Sequence, residues 1–178
     1  MYYDQEEYLY REHQRLVNKL ADDIRMVYNI EIPIINMEDA VSKIGGIVKY
    51  DSRCYGYVEK KKNEFTIHVA DNKDHRVKNF SVAQQLGKIF LYTDFVLDRN
   101  KFFEAEEISF KDSYFKQRSI DWVNEFAGAF IMPKDEFKKE VNKHIDGNTI
   151  DTKEIAKYFD VTVSTASWRG KRLGLFKD

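Results

Sequence analysis

Residues 81–90 have the sequence SVAQQLGKIF, and this stretch decides how the fold is predicted. Its apolar residues return every three or four positions, which predicts a helix over about residues 77–92. Gln84 and Lys88 lie four residues apart, so they share one face of that helix, while the apolar residues of other faces point to a core.

Three flanking segments give this helix its context. Residues 32–50 predict a helix that ends at a glycine pair and leads into a strand, and residues 65–83 predict an alternating strand, a polar loop and the start of the central helix. Residues 123–133 have the sequence VNEFAGAFIMP. Together these segments resemble the ImmA/IrrE metallopeptidase family, whose patterns are R-x-x-F-x-x-A-H-E-x-G-H and E-x-x-A-N-x-F-A-x-x-x-L-M-P.

The resemblance implies a zinc site, and the residues that would form it are replaced. In the family, two His side chains four residues apart bind the metal, the Glu between them is the general base, and a later Glu is the third ligand. This sequence has Gln84, Gln85 and Lys88 at the first three positions, and Ile120, with Asp121 beside it, in the third-ligand region. An amide is a poor zinc ligand and an ammonium has no lone pair. We therefore expect a pseudoenzyme with no catalytic residue, no metal and no cofactor.

Lys88 suggests a more specific hypothesis. A lysine at a former ligand position can supply the positive charge that the metal would have supplied, and can pair with Asp121 or Glu125. The alternative is that Lys88 packs its stem on the helix and extends its ammonium into water.

The resemblance also implies the fold class, which is α+β. We expect a zincin-like minimal metallopeptidase fold, with helices packed on a small three-stranded sheet, followed by a C-terminal helix-turn-helix-like pair. We predict two units, a pseudopeptidase domain over residues 1–146 and a C-terminal appendage over residues 147–178. Strands are predicted at residues 46–51, 54–60 and 63–70, and helices at residues 4–28, 37–44, 119–131 and 134–144. Residues 93–119 show no clean period.

The C-terminal segment has the features of a helix-turn-helix, because two short helical segments flank a tight turn. The second segment is rich in hydroxyl and basic side chains. If it binds DNA, the candidate contacts to bases and phosphates are Ser164, Thr165, Ser167, Arg169 and Lys171. The alternative is that the pair packs against the main domain, anchored by Trp168, Leu173 and Leu175.

Composition limits the class of protein. The net charge is −1, which gives no global attraction to nucleic acid or to an anionic membrane. A single cysteine, Cys54, excludes an internal disulfide and a cysteine-rich zinc site. The sequence has no apolar run long enough to span a membrane, and its acidic start, residues 1–7, lacks the regions of a signal peptide. We therefore expect a cytoplasmic protein.

Three functions remain open. The first is an inactive ImmA/IrrE-type protein that binds a protein partner, a helix-turn-helix repressor or other regulator of a phage or mobile element. The second is a regulator that binds DNA through the C-terminal pair. The third is a metallopeptidase with an unconventional metal site, which the residues support least, because groups that polarise a carbonyl and activate water are missing.

Overall fold

The structure is a computed structural model that describes residues 2–52, 56–61, 64–93, 95, 99–104, 108–111, 117–147 and 149–177. Cys54, where the second strand was expected to begin, and Asn63, where the third strand was expected to begin, lie outside these ranges. In the described part of the chain, no helix is both long enough and apolar enough to cross a bilayer.

Eight helices and six strands form the described fold. The helices are α1 (Tyr2–Val27), α2 (Met37–Ile44), α3 (His75–Tyr92), α4 (Arg99–Glu104), α5 (Gln117–Ile131), α6 (Lys134–Lys143), α7 (Thr152–Tyr158) and α8 (Val163–Arg172). The strands are β1 (Gly46–Tyr50), β2 (Tyr57–Lys61), β3 (Glu64–Val69), β4 (Ile108–Lys111), β5 (Ile145–Asp146) and β6 (Thr149–Ile150). The predicted α+β class is confirmed, and so is the C-terminal helical pair.

The main sheet contains the three predicted strands and a fourth. The strand order is β1-β3-β2-β4, in which β1 is parallel to β3, while β2 is antiparallel to both β3 and β4. The side chains of Val58, Phe65, Ile67 and Val69 face the core and are almost completely buried. Helix α3 packs against β3 and β2, and α5 packs against α3, so α3 lies between the sheet and α5.

The predicted helix boundaries follow from local chemistry. The Asn36 side chain accepts a hydrogen bond from the backbone of Asp39 and caps α2. Gly45 ends α2 in the left-handed conformation, with φ of 101°, which favours glycine. Helix α3 starts after Asp74, whose side chain accepts from the backbone of Arg76.

Helix α1 covers α5 with a narrower apolar stripe than its sequence suggests. Val17, Ala21 and Ile24 are buried, at the helical spacing expected for a core face. Leu16 and Val27 continue the apolar pattern, yet they are 51% and 71% exposed. Leu16 lies about 100° around the helix from the buried Val17, which turns it away from that face.

The C-terminal pair shares the core of the rest of the chain. Ile155, Phe159 and Ala166 belong to the same hydrophobic cluster as α3 and α5. Trp168 of α8 meets the Phe80 ring of α3 edge to face, with 6.2 Å between ring centroids. These contacts therefore show the alternative in which the pair packs against the main domain. The division of the chain into two units at residue 147 stays a prediction.

Candidate functional site

The degenerate site lies on α3, where it faces α5. Gln85 and Lys88 are buried, with only 3% of each exposed, and Gln84 is half-buried. The two helices run antiparallel, because the Tyr92 hydroxyl donates to the Ser119 carbonyl while Gln84 reaches Asn124. Gln84 therefore lies at the α3–α5 interface, and Gln85 and Lys88 are buried on the same helix.

Hydrogen bonds among polar side chains occupy this interface. The Gln84 Nε2 donates to Oδ1 of Asn124 at 2.6 Å. The Lys88 ammonium donates to Oε1 of Gln85 at 2.7 Å. Each contact satisfies polar groups that would otherwise cost free energy in a dry interior. The two hydrogen bonds therefore link Gln84 to α5 and Lys88 to Gln85 within α3.

The third-ligand region does not complete a metal site. Ile120 is half-buried one helical turn before Asn124, and Asp121 is exposed to solvent.

The side chains at the positions that resemble the family's ligand positions do not suit zinc. Zinc sites in proteins take thiolate, imidazole or carboxylate ligands, whereas these positions carry an amide, an ammonium and an alkyl group. Within the described ranges, no cluster of three or more His, Cys, Asp or Glu side chains is placed to hold a metal ion.

Lys88 does not extend into water, so the solvent-exposed alternative for this residue is wrong. Its ammonium is buried and bonded to Gln85. Glu125, one of the two acids considered as its partner, is held elsewhere. Glu125 accepts from the guanidinium of Arg169 at 2.8 Å and from that of Arg172 at 3.0 Å.

Glu125 is the centre of a buried ionic cluster that joins α1, α5 and α8. Glu125 and Arg169 are both completely buried. The side chains of Asn18 and Gln14 also donate to the Glu125 carboxylate, at 2.7 and 3.2 Å. Burial lowers the pKa of Arg169, and the adjacent Glu125 carboxylate opposes that shift. The cluster therefore fixes α8 against the body of the fold.

The five predicted DNA contacts differ in how deeply their side chains are buried. Arg169 lies in the interior, bonded to Glu125 and to the Met132 carbonyl, which removes it from any DNA-facing surface. Thr165 is half-buried beside the N-cap Thr162, 2.7 Å between their hydroxyl oxygens. Ser164 and Lys171 are exposed, with Ser167 half-buried between them on the same face of α8. Burial therefore removes Arg169 from the predicted contacts, and Ser164 and Lys171 are the two of the five that are exposed.

One carboxylate contact at the helix-turn-helix was missed by the sequence analysis. Asp160 lies in the turn between α7 and α8 with φ of 50°. Its carboxylate faces the first turns of α3, 2.8 Å from Nε2 of His75 and 2.9 Å from Nδ2 of Asn79. Aspartate tolerates the left-handed conformation in a turn, and this is the one feature of the sequence that could have indicated the position of Asp160. The contact ties the turn to the helix that carries the degenerate site.

Comparison with known proteins agrees with this geometry. A family model described as the IrrE N-terminal-like domain, of a peptidase family, matches residues 46–169. The matched region runs from β1 through α3 and α5 into α8. No curated protein matches the chain. Since the match covers well over half of the sequence, the chain belongs to the IrrE N-terminal-like peptidase family.

Proposed function

We propose that this chain is a catalytically inactive member of its family that acts by binding a protein partner. The observation that carries the proposal is the pair of internal hydrogen bonds, Gln84 to Asn124 and Lys88 to Gln85. These bonds join groups that cannot ligate zinc, at the positions where the family places its ligands and base.

The chemistry of peptide hydrolysis supports inactivity. A zinc peptidase needs a metal that polarises the carbonyl and a carboxylate that takes a proton from water. The amide of Gln85 cannot take that proton, and the ammonium of Lys88 repels a dication from the adjacent space. Loss of one group would slow the reaction, whereas loss of all of them leaves a surface that binds without cleaving.

The partner that we propose is a helix-turn-helix repressor, or a similar regulator, of a phage or other mobile element. Extended segments bind to sheet edges through main-chain hydrogen bonds, and this requires no catalytic group. Binding of such a segment is enough to remove a repressor from its operator by mass action. A repressor acts on DNA inside the cell, so the proposal also places this chain in the cytoplasm.

Gln84→Trp tests the proposal, because it puts a bulky ring where α3 meets α5. With purified repressors from mobile elements of the source genome, the wild-type chain is expected to release repressor from labelled operator DNA without cleaving it. Gln84→Trp should weaken this release by about tenfold, the loss expected at a well-packed contact. Operator release is measured by fluorescence anisotropy and repressor integrity by mass spectrometry.

Asn142→Trp is the matched control for this substitution. Asn142 is exposed on α6, away from the degenerate site, so its variant should release repressor as the wild type does. Cleavage of the repressor would contradict inactivity. Equal weakening by the two substitutions would contradict binding near Gln84.

A second candidate function is DNA binding through α8. The observation that favours it is the exposed face that carries Ser164 and Lys171, on the second helix of a helix-turn-helix. Binding to a labelled duplex that falls steeply with salt, and that Ser164→Glu abolishes, would favour this function. Insensitivity of operator release to Ser164→Glu would favour the protein-binding proposal.

A further inference from the structure

One edge of the main sheet is covered by a strand of the chain itself. The sheet ends at β1 on one side and at β4 on the other. Strand β4 pairs antiparallel with β2, in the register Tyr57↔Lys111, Val58↔Phe110, Glu59↔Ser109 and Lys60↔Ile108. The outer edge of β2 would otherwise be a row of unpaired amide and carbonyl groups, which is the template to which an extended segment adds.

The covering strand comes from the linker that joins the two helices of the degenerate site. Helix α3 ends at Tyr92, α5 begins at Gln117, and β4 lies between them in the chain. A segment that leaves β2 can therefore move while both helices stay in place.

A row of aromatic rings connects the β2–β4 edge to α3. Lys60 of β2 pairs with Ile108 of β4. The Lys60 ammonium lies 5.7 Å from the ring centroid of Phe102 on α4. The Phe102 ring is 5.1 Å from that of Phe95, which is 5.1 Å from that of Phe90 on α3. The covered edge and the helix of the degenerate site therefore belong to one packed region.

We propose that β4 is an internal competitor, which occupies the sheet edge where an extended segment of the partner binds. This inference rests on the function proposed above and adds its regulation. Four paired residues at a sheet edge are a short ladder, and main-chain hydrogen bonds can form equally with another chain. The register also predicts the sequence of the partner segment. Two of its residues would pair with Val58 and Lys60, which are buried, and these two residues need to be apolar.

Competition of this kind lowers the apparent affinity for the partner. The measured affinity equals the intrinsic affinity multiplied by the fraction of molecules in which β4 has left β2. A substitution that weakens β4 alone should therefore increase affinity, whereas a strand with a purely structural role would lose stability and gain nothing.

A synthetic peptide with the sequence EISFKD, that of residues 107–112, is the probe for the open edge. The variant Ile108→Ser/Phe110→Ser, made in the full chain, removes both apolar residues of β4. We expect the labelled peptide to bind this variant at least about tenfold more tightly than it binds the wild type. The control variant Ser109→Ala/Lys111→Ala should behave as the wild type does, and the peptide ESSSKD should bind none of them. Equal affinity for wild type and variant, or no binding by a folded variant, would overturn the inference.

Native-state hydrogen exchange of the wild-type chain tests the same inference without a substitution. If β4 detaches while the sheet stays folded, the amides that pair it with β2 should exchange roughly a hundredfold faster than those between β2 and β3. Equal protection of the two ladders would mean that β4 leaves only on global unfolding, and would contradict competition. If either experiment contradicts competition but the chain still releases repressor from its operator, the proposed function stands and only the role of β4 is removed.

Discussion

Replacing Arg169 with Met is expected to lower the free energy of unfolding by about 3–5 kcal/mol, the usual cost of removing one partner of a buried ion pair. The guanidinium is completely buried, and it donates to Glu125 at 2.8 Å, to the Met132 carbonyl at 3.1 Å and to Asn18 at 2.7 Å. Met fills a similar volume, so the main effect is that the buried Glu125 carboxylate loses one of its two guanidinium partners and keeps only Arg172. Urea denaturation followed by circular dichroism measures the change.

The matched control is Lys171→Ala, at an exposed basic position two residues further along α8. It should change the free energy of unfolding by no more than about 0.5 kcal/mol. The double variant Glu125→Gln/Arg169→Met should recover part of the loss, because it removes the buried carboxylate charge that has lost its Arg169 partner. A loss below about 1 kcal/mol for Arg169→Met would show that Arg169 is not held in the interior as described.

Rebuilding the family's ligand set is expected to create a zinc site. The variant Gln84→His/Gln85→Glu/Lys88→His/Ile120→Glu restores two imidazoles, a general base and a third ligand across α3 and α5. The 2.6 Å contact between Gln84 and Asn124 shows that side chains of the two helices already meet at this level. We expect zinc to bind the variant at least about a hundredfold more tightly than the wild type, a difference of about 2.7 kcal/mol. Isothermal titration calorimetry with a zinc salt measures it.

Omitting one ligand provides the control for this experiment. The variant without Ile120→Glu has only the two His side chains to bind zinc, so it should bind much more weakly than the full set. Equal zinc affinity of the rebuilt variant and the wild type would contradict the described placement of α3 against α5.

Much of the secondary structure was predictable from local sequence, whereas the degenerate site stays a prediction. The spacing of apolar residues predicted α3, α5 and the C-terminal pair, and the glycine pair after Ile44 predicted the end of α2. The replaced ligand positions were visible because Gln84, Gln85 and Lys88 stand at fixed offsets within one helix. Inactivity and the choice of partner follow from chemistry, and they remain proposals.

Tertiary contacts set the parts that were not predicted. Strand β4 lies in a segment with no clean period, and it forms because β2 offers an edge about 50 residues earlier in the chain. Arg169 was predicted to contact DNA. Its burial depends on the ion pair with Glu125 on another helix, and the sequence of α8 alone does not show that pair. Lys88 is buried for a similar reason, since α5 and the sheet enclose its helix. Such pairings depend on the packed fold, and a single sequence does not show them.

The measurement that tests the central claim most directly is the zinc content of the purified wild-type chain, before and after incubation with zinc. Inductively coupled plasma mass spectrometry gives the stoichiometry, and the rebuilt variant provides the positive control. The account predicts far less than one zinc per chain in the wild type and one per chain in the variant. One tightly held zinc per wild-type chain would contradict it, and would point to a peptidase with an unconventional metal site.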